Sequence, residues 1–265
     1  DAIDSRLWGV QGPAAGVLEV WCGAAYDDVR HRMYFTCGGH NAYWGNDVYE
    51  LDLESIRLTR MNNPAPLTAT TPTGFPFPSS GPKAEHTYDS IVWSPITNSL
   101  FMFANGAQTY DGENRVGEFN PSTRKWTLHN NWGEHLSSKA MTSFDPNSNQ
   151  IVMYHARGAL GDVINYNPVT KAATKKTDNA GSKYGWINNG VGNMFQGKMW
   201  FTASQGLYTD DPATHAVNQV STLPSGLGYQ SGWDVRANGT FVFWGAGSKI
   251  WAYSVASDSW SSPVG

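Results

Sequence analysis

Short apolar runs along this chain alternate with polar turns, and five of the runs end in the same way. Each meets an acidic, amide or hydroxyl residue, turns tightly, and resumes with an apolar or Trp position six residues beyond. The anchors are Asp52, Asn120, Asn167, Asp211 and Ser254, and the resuming positions are Leu58, Trp126, Ala173, Val217 and Trp260. Three turns are near copies: Asn120-Pro121-Ser122-Thr123, Asn167-Pro168-Val169-Thr170 and Asp211-Pro212-Ala213-Thr214. The last four anchors are 47, 44 and 43 residues apart. That spacing is the period of a four-stranded propeller blade and not of a helical repeat.

The pattern predicts an all-β fold, a single β-propeller of about five four-stranded blades over residues 17–61, 86–129, 139–176, 186–221 and 229–262. Within blade three the apolar runs place strands at Met141 to Phe144, Ile151 to Tyr154, Val163 to Tyr166 and Ala172 to Lys175. The segment Ala2 to Val10 leaves open a closing strand, and more blades beyond these ends also stay open.

Composition agrees, because 28 Gly, 14 Pro and 13% aromatic residues describe many short strands and turns. A formal net charge of −4 and the lack of a dense Lys/Arg run argue against a nucleic-acid partner. No apolar stretch approaches the ~20 residues of a membrane span. The start at Asp1 fits a cleaved signal peptide or an excised domain. Few lysines, many tryptophans and polar loops suggest a secreted or surface-exposed protein, or a virion component. Cys22 and Cys37 flank one hairpin turn, which leaves open a cross-strand disulfide or two unpaired thiols.

The stretch Cys37-Gly38-Gly39-His40, followed by Asn46-Asp47-Val48-Tyr49-Glu50-Leu51-Asp52, resembles a kelch repeat. Blades two to five keep the third strand and the turn but lose the Gly doublet. The resemblance implies a kelch-type propeller of the galactose oxidase-like superfamily, a fold that hosts oxidases, lyases, lectin-like modules and scaffolds. A copper radical oxidase would need a Cys-Tyr crosslink and two His ligands on one rim, whereas Cys22 and Cys37 fall on strands. No zinc-type ligand spacing is present. The sequence therefore predicts no metal and no cofactor, with a structural calcium held by backbone carbonyls left open.

In an up-and-down blade the loop from strand two to strand three, and the link to the next blade, emerge at one rim. The long irregular segments all fall there: His40 to Asp47, Asn62 to Thr87, Gly106 to Arg115, His129 to Lys139, Ala156 to Asp162 and Ala180 to Asn189. Loops of such length in a compact domain commonly carry function. The candidate ligand-binding residues on this rim are Tyr43, Trp44, Asn46, Tyr110, Arg115, Trp132, His155 and Arg157, the last two placed just after a strand. The candidate catalytic residues are His40, His86 and Tyr88. Against this stands a plainer reading in which His40 and His86 satisfy local backbone and Tyr88 packs. Trp93, Trp126, Trp200, Trp244, Trp251 and Trp260 read as packing between blades, and Trp44, Trp132, Trp186 and Trp233 as rim-proximal.

Three functions compete. The fold and rim require no more than a carbohydrate- or protein-binding module, with aromatic rings stacking and polar groups hydrogen-bonding a glycan or protein ligand. His40, His86 and Tyr88 on a kelch ring also resemble the kelch-type ulvan lyases, which implies elimination on a uronic acid. In that reading Tyr88 is base or acid, His86 or His40 is its partner, and Arg115 or Arg157 clamps the carboxylate. The third reading is a virion or other structural assembly component.

Overall fold

A computed structural model describes residues 22–37, 43–70, 76–78, 80–84, 86–103, 116–129, 140–157, 160–177, 191–203, 206–214, 216–228, 231–245 and 249–265. Among them there is no helix. Five four-stranded antiparallel sheets follow one another along the chain, each a meander in sequence order, with one extra two-stranded ribbon.

Sheet one comprises β1 (Ala24–Asp27), β2 (Arg32–Thr36), β3 (Val48–Asp52) and β4 (Arg57–Arg60). The ribbon is β5 (Leu67–Thr70) with β6 (Pro76–Pro78). Sheet two holds β7 (Ile91–Ser94), β8 (Ser99–Met102), β9 (Val116–Asn120) and β10 (Lys125–His129). Sheet three holds β11 (Met141–Asp145), β12 (Gln150–Arg157), β13 (Leu160–Tyr166) and β14 (Ala173–Thr177). Sheet four holds β15 (Gly192–Phe195), β16 (Lys198–Ala203), β17 (Gly206–Asp210) and β18 (Val217–Thr222). Sheet five holds β19 (Trp233–Val235), β20 (Thr240–Trp244), β21 (Ile250–Ser254) and β22 (Ser259–Trp260).

The repeated turn has a physical basis in its anchor. Asn120 Oδ1 accepts the backbone N–H groups of Ser122 and Thr123, and Asn167 Oδ1 accepts those of Val169 and Thr170. Asp52 does the same for Glu54 and Ser55, and Asp211 for Ala213. Such short acceptors satisfy donors that the reversal strips from the ladder. Four residues after an anchor the backbone turns left-handed, at Ile56, Arg124, Lys171 and Asp258, with φ of 51°, 57°, 64° and 46°. The strand then resumes beside the one it left, Trp126 opposite Phe119, Val217 opposite Asp210 and Trp260 opposite Tyr253.

The chain divides into two compact units, one of Asp1–Ala140 with Tyr166–Ala173, the other of Met141–Asn165 with Thr174–Gly265. In the first unit the innermost strands β1 and β7 pack together. Their core includes Tyr34, Val48, Trp93, Leu100 and Phe119, with Tyr34 stacked on Trp93 at 5.1 Å between ring centres. Trp126 closes it from the outer edge, and its indole N–H donates to the Asn46 carbonyl at 2.7 Å. Only glycine fits at position 23, since a Cβ there would meet the Tyr88 carbonyl oxygen at 1.5 Å.

In the second unit β11 packs on β15, and β15 on β19. One core gathers Met141, Val163, Met199 and Phe201, the other Trp200, Phe241, Phe243, Trp251 and Tyr253. Trp260 repeats the role of Trp126, with its indole N–H on Ser221 Oγ at 2.9 Å.

Three sequence expectations change. The stretch Ala156 to Asp162 is not a long loop, because β12 runs through Arg157 and β13 begins at Leu160. Segment 62–87 contains the ribbon β5–β6 where a continuous loop was expected. Trp244, expected to pack between blades, is 62% exposed, while Trp233, expected near the rim, is buried against Phe241 and Phe243.

Both cysteines are free thiols. The register of β1 with β2, continued outward, sets Cys22 opposite Cys37. Cys37 however adopts a φ of 66°, and its thiol lies 3.6 Å from the Lys83 carbonyl and 3.8 Å from Met102 Sδ. The left-handed turn swings the thiol into packing with sheet two, off the face that continues from Ala24 and Phe35.

Candidate functional site

The site expected at the irregular end of blades one and two is partly described. His40, Tyr110, Arg115 and Trp132 lie outside the described residues. His155 and Arg157 belong to strand β12 itself, whereas the sequence placed them after it.

Asn46 and Tyr43, expected to face a ligand, are committed to the fold. Asn46 is 2% exposed and its side-chain amide donates to the carbonyls of Ser80 and Pro82 while accepting the Ala65 N–H. It cross-braces the loop before β3 to the segment leading into sheet two. Tyr43 is fully buried, and its hydroxyl donates to Asp47 Oδ1 at 2.6 Å. Burial, then the Asp47 charge and hydrogen bond, push this phenol far above its ordinary range. Trp44 between them is half-buried.

His86 and Tyr88 are brought together. The Tyr88 hydroxyl lies 3.3 Å from His86 Nδ1, and the rings meet edge to face at 5.5 Å. Both side chains are partly exposed. Tyr88 has a φ of 41°, an uncommon conformation for an aromatic residue. Thr87 between them is buried and takes the Gly23 N–H on its hydroxyl at 2.9 Å, and the Ser90 N–H bonds the Thr87 carbonyl at 2.6 Å. The pair therefore stands on a rigid corner that β1 and the start of β7 hold from behind. Burial raises the Tyr88 phenol above its ordinary value. The Tyr88 hydroxyl can hydrogen-bond a ligand hydroxyl and the rings can offer edges, while His86 Nε2 is buried, and the phenol stays protonated at neutral pH.

Two charged networks escaped the sequence reading. Asp47, with no exposed surface, receives Arg60 Nε at 2.8 Å and the Tyr43 hydroxyl at 2.6 Å. On the outer strands of sheet two, Glu118 Oε2 receives His129 Nε2 and Lys171 Nζ, each at 2.6 Å. Lys171 also stands 4.8 Å above the Phe101 ring. Burial alone would raise the Glu118 carboxyl, but hydrogen bonds from Lys171 and His129 outweigh it and hold the group below its usual range. Each network joins residues from separate segments of the chain, so no local spacing announces it.

No family model matches the chain, and no curated protein matches it. Similarity is confined to solved structures, of which 376 chains resemble it. One is a chain in the crystal structure of a nidogen/laminin complex, with a TM-score of 0.58 at 9% identity, covering 91% of this chain and 78% of that one. The five meandering sheets and this likeness agree on one architecture. The chain is a five-bladed β-propeller. At such low identity the likeness extends to the fold alone. Among the described residues no helix is long and apolar enough to cross a membrane, and no three His, Cys, Asp or Glu side chains cluster as metal ligands.

Proposed function

We propose that this propeller is a carbohydrate- or protein-binding module of kelch type, secreted or displayed on a surface, with a glycan as the leading ligand. The observation that carries the reading is the His86–Tyr88 corner, two partly exposed polar aromatic residues fixed on a braced turn. Preorganised aromatic and hydrogen-bonding groups on a rigid scaffold suit recognition of ring hydroxyls. The raised Tyr88 phenol also favours binding over proton abstraction, since a base would need the phenolate. The reading requires no cofactor and no nucleic acid.

A uronic-acid lyase is the second reading, favoured by the approach of the Tyr88 hydroxyl to His86. Retention on immobilised glycans, measured beside the ultraviolet absorbance of newly formed unsaturated uronic ends, separates the two. The module predicts retention without turnover, weakened in Trp44→Ala and His86→Ala. Turnover that disappears in Tyr88→Phe would replace the module by the lyase. Absence of both retention and turnover on a broad glycan set would leave a protein partner as the ligand.

A further inference from the structure

At the end of β4 the Arg60 guanidinium is only partly used. Its Nε donates to Asp47 Oδ2 at 2.8 Å, an arrangement that commonly extends to a two-pronged fork. The fork does not form here, and Asp47 Oδ1 instead takes the Tyr43 hydroxyl at 2.6 Å. Arg60 Nη2 is consequently buried with no acceptor. A charged donor left so is costly, more than a neutral one.

Exposure gives the Arg60 side chain a direction, with Nη2 itself on its buried edge. The Arg60 side chain is 13% exposed and that of Asp47 is 0% exposed. Anything approaching from solvent meets the cation first, with its counter-ion behind it. The Tyr43 hydroxyl pins the carboxylate and one nitrogen fastens the guanidinium to it, so the cation is preorganised and its Nη2 edge is uncommitted. We infer that Arg60 is an oxyanion-recognition residue, taking a carboxylate or sulfate oxygen of the ligand on Nη2. Binding turns the guanidinium slightly outward while Nε stays on Asp47. The inference rests on the glycan-binding reading above and sharpens it, since it makes the ligand an acidic saccharide.

Calorimetric titration with three matched oligosaccharides tests it, one neutral, one carrying uronic acids and one carrying sulfate esters. The wild-type chain should prefer an acidic probe, and the two acidic probes distinguish carboxylate from sulfate. Arg60→Gln should weaken the preferred acidic probe about ten- to a hundredfold, the range of one charge-assisted hydrogen bond, and leave the neutral probe unchanged. That substitution also strands a buried Asp47 charge, so the double variant Arg60→Gln with Asp47→Asn, which removes both charges, carries the same expectation in a fold that has no stranded ion.

Equal affinity for neutral and acidic probes, or an acidic preference surviving in the double variant, overturns the inference and leaves glycan binding intact. If no saccharide binds, the glycan reading fails, and inorganic sulfate tests Arg60 by itself. At constant ionic strength sulfate should raise the melting temperature of the wild-type chain more than that of the double variant. Equal shifts overturn the site.

Discussion

The left-handed turn positions carry the clearest residue-scale consequences. Ile56 is 75% exposed and sits at φ 51°, where a β-branched side chain crowds its own backbone. Its side chain gains little from burial, so the strain is not offset. Ile56→Gly is expected to raise the unfolding free energy by about 1 kcal/mol, the lower end of the left-handed penalty. A higher urea midpoint at unchanged slope would show it, and a lower midpoint would mean that the side chain packs in a way its exposure denies. The anchors work in the opposite sense. Asn120→Ala leaves two turn N–H groups to water, and its urea midpoint should correspond to a loss of about 1 kcal/mol. Asn120→Asp preserves the acceptor and should lose little of it.

Among elements, the outer strands β9 and β10 of sheet two are tied to the turn that follows β13 through Glu118, His129 and Lys171. The folded Glu118 pKa lies below its ordinary value, so the unfolded chain binds the proton more tightly. The stabilisation is therefore complete above the unfolded value of about 4.3 and disappears as pH falls through the folded value. Glu118→Gln should destabilise the protein at neutral pH and approach the wild type in acid, so two chemical-denaturation series across that range should converge. Parallel series would show that Glu118 contributes packing only.

The element scale also shows what was legible in the chain. In blade three the four strands lie within three residues of their expected bounds, because each anchor writes its turn locally. The fate of Tyr43 and Asn46 was not legible. Polar residues in a loop read as ligand contacts, but Asn46 is claimed by carbonyls 34 and 36 positions away and Tyr43 by a buried carboxylate. Arg60 was overlooked for the same reason, since a charged residue closing a strand looks like a solvated edge until Asp47 is seen behind it.

For the molecule as a whole, the fold stands without a covalent crosslink, and this decides how it meets a change of redox conditions. Cys22 and Cys37 are opposite each other in register, and the sequence alone leaves open a cross-strand disulfide or, at least as readily, two unpaired thiols. The backbone settles it locally: at φ 66° the Cys37 thiol leaves the line of Phe35 and enters the sheet one–sheet two core beside Met102. Burial raises the Cys22 thiol above its ordinary pKa, so little of it is thiolate at neutral pH. Alkylation in denaturant without reductant should add two groups to the intact mass, and native alkylation should spare Cys37 while reaching Cys22 slowly. Reductant should leave the melting temperature unchanged. A mass that accepts alkyl groups only after reduction would mean that Cys37 faces its cross-strand partner, and the packing of its thiol on Met102 would have to be abandoned with it.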